Sequence, residues 1–228
     1  MADKVLLITG ASSGIGAATA RAAAKAGYRV ALAARSADKL ASLAAELGGD
    51  ERALAIICDV TDWQAQQAMV AKAVDHFGRI DAVFANAGIG STPGGFSGAD
   101  PQHWREMTLV NVVGVAYTLR AAMEQLKANR GHILITGSAA GRATLPGSMY
   151  SATKWAVSAI GYGAREEVKN DGVRTTLIEP GMVDTPFFDE PKPGVLEAED
   201  VAEAVVWALT RPRRVDVNEI LLRPLPAD

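Results

Sequence analysis

Val5-Leu6-Leu7-Ile8-Thr9-Gly10-Ala11-Ser12-Ser13-Gly14-Ile15-Gly16 is the stretch on which the reading of the whole chain turns. Four consecutive apolar residues without polar alternation read as a short strand buried on both faces. A glycine turn and then a helical pattern follow directly. A strand, a glycine turn and a helix N-terminus in that order make a place to hold a pyrophosphate. The glycines let the backbone come close to the anion, the first helical N–H groups point at it, and the helix dipole favours negative charge there. The spacing is Gly-x-x-x-Gly-x-Gly rather than the commoner Gly-x-Gly-x-x-Gly. On its own it also fits a tight turn with a helix cap.

Beyond this unit, strand patterns alternate with helical ones. Apolar runs at 4–9, 29–34, 53–58, 81–85, 131–137, 173–179 and 218–222 read as strands. Helical patterns fall at 14–27, 37–47, 62–77, 101–127, 148–169 and 199–210. Thr61 or Asp62 can cap the third helix, Asp100 with Pro101 marks the start of the fourth, and Gly27 and Gly48 stop the first two. The alternation predicts an α/β fold: a doubly wound, seven-stranded parallel sheet with helices on both faces and right-handed crossovers. The 228 residues fit one domain, 1–228, better than two. Segments 89–99 and 185–198 are rich in Gly, Pro and Ser. Both follow strand C-terminal ends, the edge where such folds bind ligands, and they read as pocket walls, the second as a lid. Ordinary surface loops would have the same composition.

Composition narrows the classes. Hydrophobic residues make up 49%, enough for a sheet buried on both faces. A net charge of −3 gives no bulk attraction to nucleic acid or to an anionic membrane. The one cysteine, Cys58, ends an apolar run and reads as a buried strand residue. No apolar stretch approaches a membrane span, and the first strand leaves no room for a leader, so a cytoplasmic protein is expected. His76, His103 and His132 lack metal-ligand spacing, and no metal is expected. Arg211-Pro212-Arg213-Arg214 reads as a solvated cluster.

A second motif carries chemistry. In Tyr150-Ser151-Ala152-Thr153-Lys154 the phenol and the ammonium stand four residues apart on one helix face. A free phenol titrates near ~10 and is a poor base at neutral pH. A nearby positive charge favours the phenolate and would lower that value. Such a phenol could give a proton to a carbonyl oxygen or take one from an alcohol.

These motifs, in this order, resemble the short-chain dehydrogenase/reductase family. The resemblance rests on Thr9-Gly10-x-x-x-Gly14-x-Gly16, Asp59, Asn86-Ala87-Gly88, Asn111, Ser138, Tyr150-x-x-x-Lys154, Pro180-Gly181 and Thr185, and covers residues from about 5 to 185. It implies a Rossmann-type fold and a set of roles. Tyr150 is the acid/base. Lys154 lowers its pKa and bonds the nicotinamide ribose. Ser138 donates a hydrogen bond to the substrate oxygen, and Asn111 completes a water-linked proton path to Lys154. A buried helical Asn could equally satisfy local backbone. Asn86, Ala87 and Gly88 would pack beside the adenosine ribose, and Asp59 would bond the adenine amine or simply cap a turn. Gly10, Ser12, Ser13, Gly14, Ile15, Gly16, Val60, Pro180, Gly181, Val183 and Thr185 complete the implied cofactor site. A homodimer or homotetramer, built on the long fourth helix and the helix of Tyr150, is also implied.

Cofactor choice is read after the second strand, Val30-Ala31-Leu32-Ala33-Ala34-Arg35-Ser36. Sites that prefer NAD usually place a carboxylate there for the ribose 2′-hydroxyl. Here Ala34 holds that position and Arg35 follows. A guanidinium grips a 2′-phosphate with paired hydrogen bonds. NADP(H) over NAD(H) is therefore expected, with Arg35, Ser36 and Ser12 around the phosphate. Family members that use NADP often carry a basic residue where Ser13 stands, which leaves one arginine for the task.

The substrate is less defined. Ile89, the 90–96 loop, Ala139 to Arg142 (Ala140 foremost), Met149, Met182, Phe187 and Phe188 are pocket candidates, beside Ser138 and Tyr150. Met182, Phe187 and Phe188 suggest an apolar lid over a neutral carbonyl or alcohol, and equally suit core packing of the loop. Arg142 reads either as a contact for an anionic group or as a surface residue. The expected function is NADP(H)-dependent interconversion of a ketone or aldehyde with an alcohol. The alternatives are a related epimerase or dehydratase using the nicotinamide transiently, and a non-enzymatic NADP(H) sensor on the same fold.

Overall fold

Successive residues of β1 (Val5–Thr9) enter opposite cores, which explains its uninterrupted apolar run. Val5 and Leu7 pack on one side of the sheet, Leu6 and Ile8 on the other, all fully buried. The computed structural model describes residues 4–90 and 94–225. After β1 come α1 (Gly14–Lys25), β2 (Arg29–Ala34), α2 (Ala37–Glu46), β3 (Ala53–Ile57), α3 (Trp63–Phe77) and β4 (Ala82–Ala85). Then follow a single turn α4 (Gly95–Gly98), α5 (Pro101–Thr108), α6 (Gly114–Asn129), β5 (His132–Thr136), α7 (Met149–Val168) and β6 (Arg174–Pro180). The chain closes with β7 (Val183–Asp184), β8 (Leu196–Glu197), α8 (Ala198–Leu209) and β9 (Glu219–Leu222).

Seven strands form one parallel sheet in the order β3-β2-β1-β4-β5-β6-β9. The chain winds outward from β1 to β3, then returns and winds the other way from β4. The reversal lies between β1 and β4, and it opens a crevice at their C-terminal ends. One face of the sheet is covered by α1, α2 and α8, whose Ala20, Leu40 and Val205 meet Ile8, Leu32 and Ile178. Alanines along α1 let it lie close against α8. The other face is covered by α3, α6 and α7 through Met69, Leu119 and Val157.

The expected helix boundaries have the expected chemistry. Asp62 accepts from the amides of Gln64 and Ala65 at the start of α3, and Asp100 accepts from that of Gln102 ahead of Pro101. Gly27 and Gly48, at φ +93° and +107°, end α1 and α2. Cys58 is buried, and burial pushes its thiol up to about 11. Two features differ from the sequence pattern. The helix expected at 101–127 is broken by a π-helical turn, Leu109–Val113, between α5 and α6. One extra residue in a turn does not disturb apolar periodicity enough to be seen. The pair β7–β8 was not expected either, since two-residue strands carry no pattern; it ties Val183 to Leu196 and Asp184 to Glu197 at the base of the 185–195 loop. Of the 90–96 wall, residues 91–93 lie outside the described residues. Among the described residues, no helix is long and apolar enough to cross a membrane, and no group of His, Cys, Asp and Glu is placed to hold a metal ion.

Candidate active site

The three glycines after β1 are required by three different contacts. Gly10 sits at φ +67°, and a Cβ on it would fall 2.9 Å from Ala87 Cα. Gly14, at φ +51°, faces Thr185, whose Cβ would be 3.2 Å away. On Gly16 a Cβ would stand 2.3 Å from Gly10 O, because α1 folds straight back onto the turn. Ser13 occupies the N-cap in an extended conformation but makes no side-chain cap bond, and the first turn holds no acidic residue. By contrast, Asp62, Asp100 and Ser148 cap α3, α5 and α7. The amides opening α1 are therefore left for an outside acceptor, with Ser12 and Ile15 half-buried beside them. This cradle fits a pyrophosphate.

Around it stand the other strand ends. Asn86 knits β1, β4 and β5 together. Its amide donates to Thr9 Oγ1 at 3.0 Å, its Nδ2 donates to Thr9 O at 3.1 Å, and its Oδ1 accepts from Thr136 Oγ1 at 3.0 Å. Ala87 N also donates to Thr9 Oγ1. Gly88 lies against Asn111 Oδ1, 3.3 Å from where its Cβ would be. Pro180 ends β6, Gly181 N donates to Leu222 O, and Val183 is buried beneath the loop that carries Thr185. Beyond β2, Arg35 and Ser36 are exposed, and Arg35 makes no hydrogen bond or ion pair among the described residues. Asp59 forms the turn that sequence reasoning offered as one of its roles: Oδ1 accepts from both the amide and the hydroxyl of Thr61. Those bonds, with the Arg35 charge, hold its carboxyl below the ordinary value. Val60 is buried, and its carbonyl accepts from Gln66 Nε2.

Ser138, Tyr150 and Lys154 meet at the C-terminal edge of β5. Ser138 is nearly buried and opens the short turn Ala139–Gly141. Its Oγ accepts from Ala140 N at 3.0 Å and donates to Pro180 O at 3.5 Å. Ser148 caps α7 through the amide of Ser151, which puts Tyr150 on the first turn. Lys154 is buried, and its Nζ donates to Thr136 O at 2.8 Å, 5.7 Å from the centre of the Tyr150 ring. Burial pulls its ammonium down to about 8. The expectation that Lys154 lowers the phenol is corrected here. Burial raises the Tyr150 pKa, and the opposing influence is a hydrogen bond with Ser138. Spacing put the two groups on one face but could not weigh the desolvation around them.

Asn111 sits fully buried in the π turn. Its side chain is spent on structure: Oδ1 accepts from Ile89 N at 2.9 Å, and Nδ2 donates to Ile89 O and Thr153 Oγ1. It thus ties the segment after β4 to α7, the local-backbone role named as its alternative. On the substrate side, the Phe187 ring lies 5.8 Å from the Tyr150 ring, edge-on, and 5.3 Å from Phe188. A Cβ on Gly90 would touch Phe187 at 3.0 Å. Met182 and Phe187 are exposed, and Phe188 is half-buried under Lys192. Arg142 is not free to meet an anionic group, because it pairs with Glu179 and Glu219. Sequence reasoning assigned no role to Thr9, quoted only as part of the glycine motif, nor to Thr136 and Thr153; the three orient Asn86, Lys154 and Asn111. Their only signal was a polar residue at the end of an apolar strand or one position before the lysine.

A doubly wound sheet with a glycine cradle at its switch point and a Ser–Tyr–Lys cluster beside it defines a nicotinamide-dependent oxidoreductase. The chain belongs to the short chain dehydrogenase family, whose model matches residues 4–194. It is 39% identical over 227 residues to an uncharacterised oxidoreductase of Staphylococcus haemolyticus, with 97% of each chain covered. It is 37% identical over 230 residues to one of Staphylococcus saprophyticus, covering 98% of each. Among solved structures it resembles an alcohol dehydrogenase of the archaeon Thermococcus sibiricus complexed with 5-hydroxy-NADP, at 37% identity, TM-score 0.91 and 97% of each chain. It also resembles a metagenomic short-chain oxidoreductase in complex with NADP, at 31% identity, TM-score 0.87 and 99% of each chain.

Proposed function

We propose that this protein interconverts a ketone or aldehyde with an alcohol, using NADP(H) in preference to NAD(H), with Tyr150 as the acid/base. The observation that carries the reading is the grouping of Ser138 and buried Lys154 at the end of β5 with Tyr150 one helical turn before that lysine, its ring 5.7 Å from Lys154 Nζ and edge-on to Phe187. Bound nicotinamide supplies or accepts the hydride. The chain does the rest. Ser138 and Tyr150 present two donors to one substrate oxygen and stabilise the charge that develops there. Tyr150 gives that oxygen its proton in reduction and removes it in oxidation. Lys154 bonds the nicotinamide ribose, and Asn111 holds the backbone of Ile89 at the wall of the site. Ala140, Met182, Phe187 and Phe188 enclose a neutral substrate and exclude water from it.

The NADP(H) preference rests on Arg35, an exposed guanidinium that makes no hydrogen bond or ion pair among the described residues, where a carboxylate would serve NAD. Ser12 and Ser36 share the 2′-phosphate with it. Gly10, Ser13, Gly14, Ile15 and Gly16 hold the pyrophosphate, Asp59 and Val60 the adenine, and Asn86, Ala87 and Gly88 its ribose. Pro180, Gly181, Val183 and Thr185 lie along the nicotinamide half. Exposed Trp155 and Tyr162 on α7 support assembly as a homodimer or homotetramer. A single cysteine, buried, suits a reducing cytoplasm. The test is a panel of ketones and aldehydes run with NADPH and with NADH. Net NADPH consumption, lost in Tyr150→Phe while NADPH still binds, is the expected result. Epimerisation without net turnover, binding without product, or a Tyr150→Phe variant of near-normal rate would each refute the reading.

A further inference from the structure

Three consecutive residues of β6 hold the turn that presents Ser138. Ile178 O accepts from Gly137 N at 2.7 Å, and Pro180 O accepts from Ser138 Oγ at 3.5 Å. Between them, Glu179 Oε2 accepts from Arg142 Nε at 2.6 Å. The first two acceptors are backbone and would exist in any sequence. The third requires a carboxylate, and that of Glu179 is wholly buried. It presses on the turn itself, since a Cβ on Gly137 would stand 2.8 Å from Glu179 Cγ.

The same carboxylate reaches the helix of Tyr150 and Lys154. Ser158 Oγ lies 3.3 Å from Glu179 Oε1 and 3.2 Å from Lys154 O, one turn beyond the lysine. Gly141, next to Arg142, backs onto that carbonyl: its Cβ would be 2.7 Å from Lys154 O. From the far side Arg142 is gripped by Glu219, whose Oε1 also accepts from the Tyr162 hydroxyl at 2.5 Å. An ion pair with one partner fully buried is a weak source of net stability. Its place between two elements that each carry part of the site is therefore informative.

We propose that Glu179 and Arg142 are positioning residues, whose ion pair sets the Ser138 turn against the helix bearing Tyr150 and Lys154. The proposal rests on the reading of Ser138 as a donor to substrate oxygen. Neither side chain bonds to Tyr150 or Lys154 among the described residues, so the pair acts through the backbone it fixes. A displacement of about 1 Å in a donor of this kind costs on the order of a hundredfold in rate.

The experiment is a double-mutant cycle on the full-length protein with a carbonyl substrate it reduces. Glu179→Gln, Ser138→Ala and the double variant are compared in kcat, KM, NADPH dissociation constant and thermal midpoint. Glu179→Gln should lower kcat about ten- to hundredfold while NADPH binding stays within about twofold. In the Ser138→Ala background the same change should cost no more than about twofold, because its effect passes through Ser138. Arg142→Lys, which keeps a charge beside Glu179 but loses the planar fork, should show a smaller loss with the same pattern. It also carries the cycle if Glu179→Gln does not fold. Multiplicative losses in the double variant, or a lowered thermal midpoint with kcat unchanged, overturn the positioning role alone. A Ser138→Ala variant of normal kcat overturns the donor reading and this proposal with it.

Discussion

Gly16→Ala tests the cradle most directly. A Cβ at this position would stand 2.3 Å from Gly10 O and 2.8 Å from Asn86 Nδ2. Carbon and oxygen approach comfortably to about 3.3 Å, so something must retreat by about 1 Å. The first obstacle is backbone. The second is an amide that itself donates to Thr9 O and Gly10 O. Neither is the free end of a flexible side chain, which puts the cost at the upper end for overpacking, about 3 kcal/mol. In a domain of this size that lowers the thermal midpoint by roughly 6–12 °C. The retreat also moves Gly10 and the amides that open α1. Losing one charge-assisted hydrogen bond to phosphate costs about 1.5–3 kcal/mol, or roughly ten- to hundredfold in NADPH affinity. Gly163→Ala is the matched control. It lies inside α7, with nothing within 4 Å of where its Cβ would be. There the change should stabilise by about 0.5–1 kcal/mol through helix propensity. Differential scanning fluorimetry and titration of NADPH fluorescence read both quantities. A Gly16→Ala protein with the parent's midpoint and affinity would refute the claim that this glycine is required by contact.

Three further outcomes are expected. Arg35→Ala should weaken NADPH binding by roughly ten- to hundredfold, the worth of a hydrogen bond to a charged group, and leave NADH binding unchanged; equal losses for both cofactors would remove the argument for Arg35. Lys154 loses its proton at about 8 when folded against 10.5 ordinarily, so between those values the unfolded chain binds the extra proton and stability rises with pH. Measured by urea unfolding at about pH 7 and about pH 10, the parent should therefore gain up to about 3 kcal/mol relative to Lys154→Met, and a constant difference would contradict the burial of that charge. Asp62→Ala removes the acceptor for two amides at the start of α3 and should cost about 1 kcal/mol, read as a fall of about 2–4 °C in the midpoint.

What could be read in advance follows from range. The strands β1, β2, β4 and β5 are apolar at nearly every position, so each announces itself in four to six residues. Asp62, Asp100, Gly27 and Gly48 work through neighbours within a few positions and were legible for that reason. Tyr150 and Lys154 were paired by helical spacing alone. The π turn at Asn111 was not legible, because a one-residue expansion leaves the apolar stripe almost in phase. Nor was the fate of Arg142, whose partners Glu179 and Glu219 lie 37 and 77 positions away. Burial was the quantity least accessible. It depends on Phe187 arriving from a loop after β6, and it reversed the expected shift of Tyr150.

That reversal alters the division of labour within the proposed mechanism. Burial pushes both groups toward their neutral forms, the phenol above its ordinary value and the ammonium down to about 8. At neutral pH the phenol therefore holds its proton, which is the form needed to protonate the oxygen of a carbonyl undergoing reduction. Once the proton is given, burial makes the phenolate the stronger base of the two. Transfer from the Lys154 ammonium to it is then downhill. In this arrangement the lysine serves as the reserve that restores the tyrosine, and it does so without first making the phenol acidic. The group that does favour the phenolate is Ser138, through the bond that opposes the effect of burial. In the proposed mechanism the single proton of the Ser138 hydroxyl, given to Pro180 O in this structure, passes to the substrate oxygen, so the placement of Ser138 sets how far that oxygen is polarised.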